Sequence, residues 1–449
     1  MLTRVAIVAK NLAMIGLLMA VLPVNLALVV AAFGLRVVRQ MGTADTPRPV
    51  SPQPKSILIS GGKMSKALQL ARLFHHAGHR VVLVESHAYW LTGNRFSSAV
   101  DKFYTLPKAG ADDYESALLD LIQRERIDVY VPVCSPASSL YDSRAMPALA
   151  AHCEVMHVSP DKIMQLDDKY QFAMAAQAMG LAVPKSFLIV DPQQVIDFDF
   201  CNEARPYILK SIPYDSVRRL DMTQLPAKSP QATADFVRSL PISKSNPWIL
   251  QEFIRGQEYC THGTFRQGAL RVHGCCASSA FQINYAHIDR PDIESWVKRF
   301  GAGLGLTGQA SFDFIEAQDD GQVYAIECNP RTHSAITMFY DSAAVADAYL
   351  GQPLEHAPVR PSPSSRPTYW IYHEVWRLLT GLTSLAATRA RLKIIAAGKD
   401  AVFDWHDPLP FFMLHHWHMP LLLLRDVREQ RGWLKLDFNI GKLVQLGGD

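Results

Sequence analysis

The stretch 311–331 constrains this chain most, because two apolar runs there flank a turn that contains an Asp-Gly pair. The runs occupy residues 311–315 and 323–328, and the turn lies at residues 319–321. An Asp-Gly pair between runs rich in strand-forming residues is a strong short-range hairpin signal. The sequence therefore predicts an antiparallel β-hairpin at this point.

The polar residues of this hairpin fall into one group. With the turn centred near Asp320, Asp313 lies opposite Glu327, and such partners are ~5 Å apart at Cβ. Glu327 and Asn329 are two residues apart, so they share a strand face. Two carboxylates and an amide oxygen suit Mg²⁺, which binds one or two carboxylates together with substrate phosphates. Arg331 adds a cation suited to a phosphoryl group. The alternative is a solvated hairpin whose acids face water.

Composition limits the class of protein. The 449 residues allow about three domains, and 49% of them are hydrophobic against 19% charged, so large cores can form. A net charge of +3 is too balanced to favour nucleic acid as a partner. The seven cysteines form neither a disulfide framework nor a zinc-binding pattern, which favours reduced thiols in a cytosolic enzyme.

Residues 12–35 form an uncharged run of 24 residues, long enough to span a bilayer as a helix. The side that follows the run is more basic, which favours catalytic domains on the cytoplasmic face of a membrane. Pro23 and Asn25 lie inside the run, so a kinked span and a shallow re-entrant hairpin both stay open. A buried helix of a soluble protein is a third reading. The sequence predicts a single-pass or monotopic protein that contacts membrane lipid.

A strand at residues 56–60, a helix at 65–77 and a strand at 81–84 predict a β-α-β unit. Gly61 and Gly62 end the first strand, where they could accept a phosphate or let a substrate approach closely. A tight strand-to-helix turn is the favoured explanation of the two glycines. Further along, a polar loop with Ser135 and Ser138 follows a strand, and open α/β sheets bind ligands at such carboxyl ends.

The middle of the chain carries spaced cations and acids. Lys169 lies between two helical pieces, and a strand at residues 206–210 ends at Lys210. A strand, turn and strand follow near residues 249–260. Two lysines separated along the chain can grip phosphate oxygens as point charges.

The composition shifts after Gly351, and five prolines at residues 353–367 mark a boundary. The apolar stretch 407–424 is broken by prolines, so it predicts either an interfacial segment or ordinary core packing. Its three histidines suggest a metal site, but no acid or cysteine lies nearby in the sequence to complete one. They are His415, His416 and His418.

Taken in order, these residues resemble the ATP-grasp superfamily over about residues 56–349, with Glu327-Cys-Asn-Pro-Arg331 matching its closing motif. The resemblance implies an α/β (α+β) ATP-grasp fold that uses ATP and Mg²⁺, with Mn²⁺ as a substitute. It implies that Lys169 and Lys210 bind phosphates. It further implies that the strand Glu252, Phe253 and Ile254 meets adenine, and that Glu258 binds the ribose. The implied metal ligands are Asp313, Glu327 and Asn329, and the implied catalytic cations are Arg331 and Lys210.

The resemblance also implies a domain order. A membrane-associated segment at residues 1–41 and a linker at 42–55 precede a β-α-β pre-ATP-grasp domain at 56–160. The ATP-grasp domain follows at 161–352, and residues 353–449 form a carboxy-terminal region with an interfacial role as one reading. The chain departs from the superfamily in the loop 211–219, which has no glycine. Arg218 or Arg219 either substitutes there or is surface charge.

A closer resemblance is to the cyanobacterial-type ligases that make mycosporine-glycine, carried by segments 283–291, 407–410 and 432–449. It implies that ATP phosphorylates the enolised ring of 4-deoxygadusol, and that glycine's amine replaces the phosphate. The candidate contacts for this cyclohexenone-type ring are Gly61, Gly62, Ser135, Ser138, Asn284 and His287. His287 is either the base that takes the proton of the amine or an ordinary surface histidine.

Other functions stay open at this point. An ATP-grasp ligase that makes an acyl phosphate from a carboxylate needs the same phosphate-binding groups. A non-catalytic nucleotide-binding membrane protein need not keep every metal ligand. An NAD-dependent oxidoreductase rests only on Gly61, Gly62 and Glu85, without the G-x-G-x-x-G pattern. The sequence leaves the oligomeric state open.

Overall fold

The computed structural model describes residues 2–42, 51–133, 135–213, 218, 221–278, 284–381 and 384–445. Helices α1 (Leu2–Ala20) and α2 (Leu22–Gly42) open the chain. Pro23 lies in the first turn of α2, where its missing N–H costs nothing. The Asn25 N–H donates to the Val21 carbonyl across the break at 3.1 Å. Helical bonding thus continues through the predicted apolar run, which forms one interrupted helical segment and no re-entrant hairpin.

Among the described residues, the segment Arg4–Val38 alone is long and apolar enough to cross a membrane by length and composition. Only 17% of its most apolar window is buried inside the protein. The predicted linker falls partly on residues 43–50, which lie outside the described ranges.

A five-stranded parallel sheet follows, with strand order β3-β2-β1-β4-β5. Its central strands are nearly continuous apolar runs that are buried on both faces, as parallel strands usually are. This confirms the predicted β-α-β unit. The elements are β1 (Ser56–Ile59), α3 (Ser65–His76), β2 (Arg80–Ser86), β3 (Lys102–Leu106), α4 (Tyr114–Glu125), β4 (Val129–Val131), α5 (Pro136–Leu149) and β5 (Glu154–Val155).

Two antiparallel sheets form the middle of the chain. The first has the order β6-β8-β7 and the second β10-β9-β12-β13. The helices α6 (Pro160–Asp167) and α7 (Lys169–Ala178) confirm the two predicted helical pieces. The remaining elements are β6 (Ser186–Ile189), α8 (Pro192–Ile196), β7 (Tyr207–Ser211), α9 (Pro230–Arg238), β8 (Trp248–Glu252), β9 (Gly256–Arg266), β10 (Ala269–Ala277), β11 (Asn284–Tyr285), α10 (Pro291–Gly303), β12 (Gly308–Ala317), β13 (Val323–Asn329) and α11 (Ala344–Leu350).

The carboxy-terminal region combines helices with short strands. Its β14 lies between β11 and β15 in a small sheet, and β16 pairs with β17. A π-helical turn, Leu414–His418, joins α14 to α15. The elements are β14 (Thr368–Tyr369), α12 (Ile371–Thr380), α13 (Leu385–Ala397), β15 (Lys399–Asp400), α14 (Leu409–Met413), α15 (Met419–Glu429), β16 (Lys435–Asp437) and β17 (Lys442–Val444).

One large hydrophobic core joins the two ends of the chain, since Leu18, Ile57, Phe339, Trp370 and Leu414 belong to the same buried cluster. A buried ion pair between Arg72 and Asp407, 2.9 Å long, fastens the carboxy-terminal region to the parallel sheet. The described residues from 353 to 445 therefore pack as part of the body. The domain boundaries proposed from the sequence stay a prediction.

The predicted apolar stretch 407–424 divides by exposure. Its histidines are buried, which matches the core-packing reading, whereas Trp417 is 46% exposed. No metal-binding group of three or more His, Cys, Asp or Glu side chains occurs within the described ranges. The structure thus gives the three histidines a packing role; they are His415, His416 and His418.

Candidate active site

The β12–β13 hairpin has the predicted register. Asp313 pairs with Glu327 and Ser311 pairs with Asn329. A β-bulge follows Asp313, and bulges re-aim side chains at the ends of sheets. The alternation of the strand leaves Glu327 and Asn329 on one face, beside Asp313. The hairpin therefore brings together the three side chains that the sequence singled out as metal ligands.

The Asn329 side chain lies between the two acids. Its amide nitrogen donates to Asp313 Oδ2 at 3.2 Å and to Glu327 Oε1 at 3.4 Å. Its amide oxygen accepts a short hydrogen bond from the Arg331 guanidinium. Arg331 also lies 3.6 Å from Asp167 Oδ1. A cation held by both acids and Asn329 would require the amide to turn its oxygen toward them, which would release Arg331.

Two lysines complete the cluster. Lys169 is the first residue of α7, and its ammonium lies 4.0 Å from Glu327 Oε2. Asp168 fixes this start by accepting bonds from the first backbone N–H groups of α7. Lys210 comes from the end of β7, and its ammonium lies 3.4 Å from Gln251 Oε1. Lysines from two separate elements thus face one pair of carboxylates.

The charges of this cluster perturb one another. Burial and the neighbouring Glu327 carboxylate raise the pKa of Asp313 well above its ordinary value. Burial also raises the pKa of Glu327, but the ammonium groups of Lys169 and Lys210 outweigh it and lower that pKa overall. Burial lowers the pKa of Lys210, against the pull of the nearby carboxylates. Opposite shifts in two adjacent carboxyls are typical of functional sites.

This donor set fits Mg²⁺. Two carboxylates and one amide oxygen are hard oxygen donors, and Mg²⁺ completes its shell with water and phosphate oxygens. A divalent cation would also offset the repulsion from Glu327 that raises the pKa of Asp313. Mn²⁺ accepts the same oxygen donors. Asp313, Glu327 and Asn329 are the side chains that would hold the ion.

The comparisons with known structures are consistent with this geometry. A biotin carboxylase from Campylobacter jejuni, solved as a β-γ-ATP complex, matches with a TM-score of 0.52 and 15% identity over 68% of this chain and 72% of that chain. An N5-carboxyaminoimidazole synthetase from Staphylococcus aureus, complexed with ADP, matches with a TM-score of 0.52 and 16% identity over 71% of this chain and 82% of that chain. The chain has the ATP-grasp fold.

A third structure supports the same fold. It is an ADP complex of an N5-carboxyaminoimidazole ribonucleotide synthetase, with a TM-score of 0.52 and 17% identity over 75% of this chain and 88% of that chain. No protein-family model and no curated protein matches the sequence. At these identities the likeness establishes the fold alone, and the α/β ATP-grasp prediction is confirmed.

The nucleotide-binding candidates of this ATP-grasp fold differ in their surroundings. The Glu258 carboxylate is close enough to Lys210 to favour its charged form, which raises the pKa of the ammonium group against the effect of burial. The Glu252 side chain instead lies 3.7 Å from Arg205. The Glu252 and Phe253 N–H groups donate to the carbonyls of Lys185 and Pro206. An adenine ring on the Glu252–Ile254 segment would therefore have to use its other backbone groups.

Gly61 and Gly62 have a packing role. Gly61 has a φ of +67°, and a Cβ there would lie 2.1 Å from the Val133 carbonyl oxygen. A Cβ on Gly62 would lie 3.0 Å from the Val84 carbonyl oxygen. Only glycine fits such close approaches between strand ends. The tight-turn reading thus explains both residues without a ligand.

Ser135 and Ser138 also serve the fold. Ser135 caps α5, and the two serines form a reciprocal capping box. The neighbouring Ser139 hydroxyl donates to the Pro330 carbonyl at 3.0 Å, and the Lys66 ammonium donates to the Thr332 carbonyl at 2.6 Å. The carboxyl edge of the parallel sheet therefore borders the segment that follows Asn329. A ligand site at Ser135 and Ser138 stays a prediction.

The remaining substrate candidates lie elsewhere. Asn284 donates to Glu374 in the carboxy-terminal region at 3.4 Å. His287 Nδ1 lies 3.2 Å from the Cys275 carbonyl oxygen, and its charged neighbours include Glu294 and Arg360. His287 thus lies at the edge of β10, which is separated by β9 from the β12 strand that carries Asp313.

Sequence reasoning missed a pair of thiols beside the cluster. Cys260 pairs with Asp313 across β9 and β12, and its sulfur lies 3.3 Å from that of Cys276. The hydrogen bond with Cys276 and the adjacent His333 lower the pKa of the Cys260 thiol well below its usual value. The spacing of two from Glu258 could have placed Cys260 on the same strand face.

Part of the predicted phosphate loop lies outside the described residues. Arg219 and residues 214–217 lie outside the described residues, as do Cys134, Ile283 and the terminal residues 446–449. Arg218 lies within them, and its carbonyl accepts from the Asp221 N–H at 2.9 Å. The roles suggested for the two arginines stay predictions.

Proposed function

We propose that this chain is an ATP-dependent ligase that forms a C–N bond with the help of Mg²⁺. The observation that carries the proposal is the convergence of Lys169 and Lys210 on the Asp313–Glu327 pair. Phosphoryl transfer is catalysed mainly by positioning and by neutralising phosphate charge. A cluster of two cations and two carboxylates supplies both the positioning and the charge neutralisation, since the ATP-grasp fold fixes the position of each group.

The proposed roles follow from charge and position. Lys169 and Lys210 bind phosphate oxygens, since both ammonium groups lie near the Asp313–Glu327 pair. Glu258 accepts hydrogen bonds from the ribose hydroxyls. Bound Mg²⁺ supplies neutralisation of the β- and γ-phosphate charge. Arg331, released from the Asn329 oxygen, stabilises charge on the transferred phosphoryl group.

We further propose glycine and 4-deoxygadusol as substrates and mycosporine-glycine as product. The support is the resemblance carried by segments 283–291, 407–410 and 432–449. The enol oxygen of the ring attacks the γ-phosphorus and ADP leaves. The glycine amine then bonds to the ring carbon, loses a proton to a base, and phosphate departs with the former enol oxygen. Phosphorylation is needed because an unmodified enol oxygen is a poor leaving group.

The place proposed for the ring is the carboxyl edge of the parallel sheet, next to the segment that follows Asn329. Ser139 and Lys66 join the edge of the parallel sheet to Pro330 and Thr332, directly after the cluster. A ring bound at this edge would place its enol oxygen near the phosphate-binding groups. The position of Gly61 and Gly62 at the end of β1 supports this location, although their own role is to allow tight packing.

The test is a reconstitution with purified full-length protein, Mg-ATP, 4-deoxygadusol and glycine. ADP and phosphate are quantified, and the organic product is identified by mass spectrometry. The proposal expects equal amounts of ADP and mycosporine-glycine. ADP formed only with a carboxylate–amine pair would replace the substrate assignment with an acyl-phosphate ligase. Nucleotide binding without ADP release for any pair would favour the non-catalytic alternative.

A further inference from the structure

The segment formed by α1 and α2 lies with one face against the body. Its buried residues include Asn11, Leu18, Asn25 and Ala32, which are seven residues apart. Seven residues are close to two helical turns, so these side chains form one line along the segment. This line of buried side chains therefore sets which face of the segment packs against the body.

Polar contacts hold this stripe at two places. The Trp433 indole N–H donates to Asn11 Oδ1 at 2.9 Å, and the Asn25 amide nitrogen donates to Tyr372 Oη at 2.6 Å. The Asn25 nitrogen also lies 2.8 Å from His416 Nε2. At 1.5 Å per residue, Asn11 and Asn25 are ~21 Å apart along the helix.

These partners belong to the packed body. Tyr372 stacks on the buried His415 with 4.0 Å between ring centroids, and it packs against Phe438. A helix that crossed a bilayer would carry Asn25 into the hydrocarbon and strip it of both partners, which is costly for an amide. The contacts therefore favour a segment that lies along the body and does not cross the membrane.

The opposite face of the segment is apolar and open. Leu12 is 51% exposed, and Val24 and Val30 are each 62% exposed. The neighbouring α15, which packs along α1, exposes Leu421 and Leu424. Exposed apolar surface on this scale marks an interaction site. Other exposed members of the face are Val5, Leu17, Val21, Leu26, Phe33, Leu35, Val37 and Val38.

The charges around this face fit an anionic lipid surface. The chain has no acidic residue before Asp45, whereas Arg4 and Arg36 are exposed on the segment. Lys10 instead donates to the Trp433 carbonyl at 2.7 Å. Arg4 also borders a shallow apolar groove of about 350 Å³ between α1 and Gln430. A second copy that met α1 and α2 by two-fold symmetry would set these cations against one another, and neither of the two helices carries an acid to offset them. Anionic headgroups offer the matching charge.

We propose that α1, α2 and the exposed edge of α15 form an in-plane docking surface for an anionic phospholipid bilayer, with no membrane crossing. The apolar side chains enter the headgroup and acyl boundary, and Arg4 and Arg36 contact the headgroups. Trp417, exposed on the turn before α15, suits the same interfacial zone. This inference is independent of the ligase reaction, because it concerns a surface away from the Asp313 cluster.

Vesicle flotation of the full chain tests the surface. We expect flotation with vesicles of phosphatidylcholine and phosphatidylglycerol, weaker flotation with phosphatidylcholine alone, and release by alkaline carbonate. The variant Val24→Gln/Val30→Gln/Phe33→Gln should lose at least about tenfold in bound fraction. The matched control Met164→Gln/Leu188→Gln/Met222→Gln changes exposed apolar residues elsewhere and should float like the wild type. Near-ultraviolet circular dichroism confirms that both variants fold.

Three results would overturn the proposal. Wild-type protein that stays at the bottom of the gradient with both vesicle types has no lipid-binding surface. Protein that resists carbonate extraction crosses the bilayer. A dimer in analytical ultracentrifugation that becomes monomeric in the Val24, Val30 and Phe33 variant would identify a second copy as the occupant.

Discussion

The two ends of the β12–β13 hairpin carry the same kind of side chain in opposite environments. At the strand end, Asp313 is crowded by Glu327, and burial and that neighbour raise its pKa well above the ordinary value. At the turn, the Arg205 guanidinium lies 2.7 Å from Asp319 and lowers the pKa of that carboxyl. One end holds repelling acids beside lysines, and the other holds a satisfied surface ion pair.

This difference shows what sets a binding site apart from a stable surface. The Asp319 carboxylate is 57% exposed and pairs with Arg205, so it needs nothing further. The Asp313–Glu327 pair has its repulsion only partly relieved by Lys169, whose ammonium is 4.0 Å from Glu327. A pair of carboxylates that still repel each other is stabilised when a divalent cation binds between them. Substitutions at the two ends should therefore have contrasting effects.

The largest contrast is expected between Glu327→Gln and Asp319→Asn. Glu327→Gln keeps the shape of the side chain but removes a charge from the proposed Mg²⁺ site, so kcat should fall by about 10²-fold or more. Asp319→Asn removes an equal charge at the turn and should change kcat by less than about twofold. Steady-state ADP release measures both, and equal activity of the two variants would contradict the metal assignment.

A smaller effect is expected for Glu258→Ala. The carboxylate is proposed to bind ribose hydroxyls in both the ground and transition states, so the KM for ATP should rise about tenfold with kcat little changed. Glu258→Gln is the matched control, because it keeps a hydrogen-bonding group of similar size. An unchanged KM in the alanine variant would remove Glu258 from the nucleotide site.

The Asp313 environment predicts a pH-dependent change in stability. Since folding raises the pKa of Asp313, the metal-free protein is favoured while this carboxyl is protonated and loses that stability as the pH rises. Asp313→Asn should therefore raise the Tm at neutral pH without Mg²⁺, and the gain should vanish toward about pH 4. Mg-ATP should stabilise the wild type more than the variant. Calorimetry across this pH range measures both trends, and a gain that persists at acidic pH would contradict the repulsion.

The smallest effect is expected at the turn. Arg205→Ala removes contacts to Asp319 and Asp320, which are both more than one-third exposed, and a longer contact of 3.7 Å to Glu252. The free energy of unfolding should therefore fall only modestly. Arg205→Lys should recover part of this, because it keeps the charge without the two-pronged geometry. Urea unfolding gives the values, and a large loss of activity would show that the turn is part of the site.

The hairpin could be predicted because its signals are local. The Asp-Gly pair predicts the turn, and counting from Asp320 places Asp313 opposite Glu327. In the structure this pairing also depends on the β-bulge after Asp313, because Phe314 pairs with Ala325 on the side nearer the turn. The capping box of Ser135 and Ser138 was equally local, but its residues also suit a ligand loop, so their structural role emerged only with α5. Residue types with two good uses cannot be assigned from spacing.

Other features depend on contacts between distant parts of the chain. Asn11 meets Trp433 across 422 residues, and no pattern in the amino-terminal run indicates that partner. The same applies to His287, which forms an isolated bridge with Cys276 and so follows the edge of β10 away from the Asp313 cluster. Long-range register decides these placements, and a single sequence does not encode it in a readable pattern.

Calorimetric titration of a non-hydrolysable ATP analogue, with Mg²⁺ and with EDTA, tests the central claim most directly. If the Asp313–Glu327 end of the hairpin holds the metal, the wild type and Asp319→Asn should bind the analogue much more tightly with Mg²⁺ than with EDTA. Glu327→Gln should lose most of that difference. The account is contradicted if Glu327→Gln keeps the full Mg²⁺ dependence of the wild type.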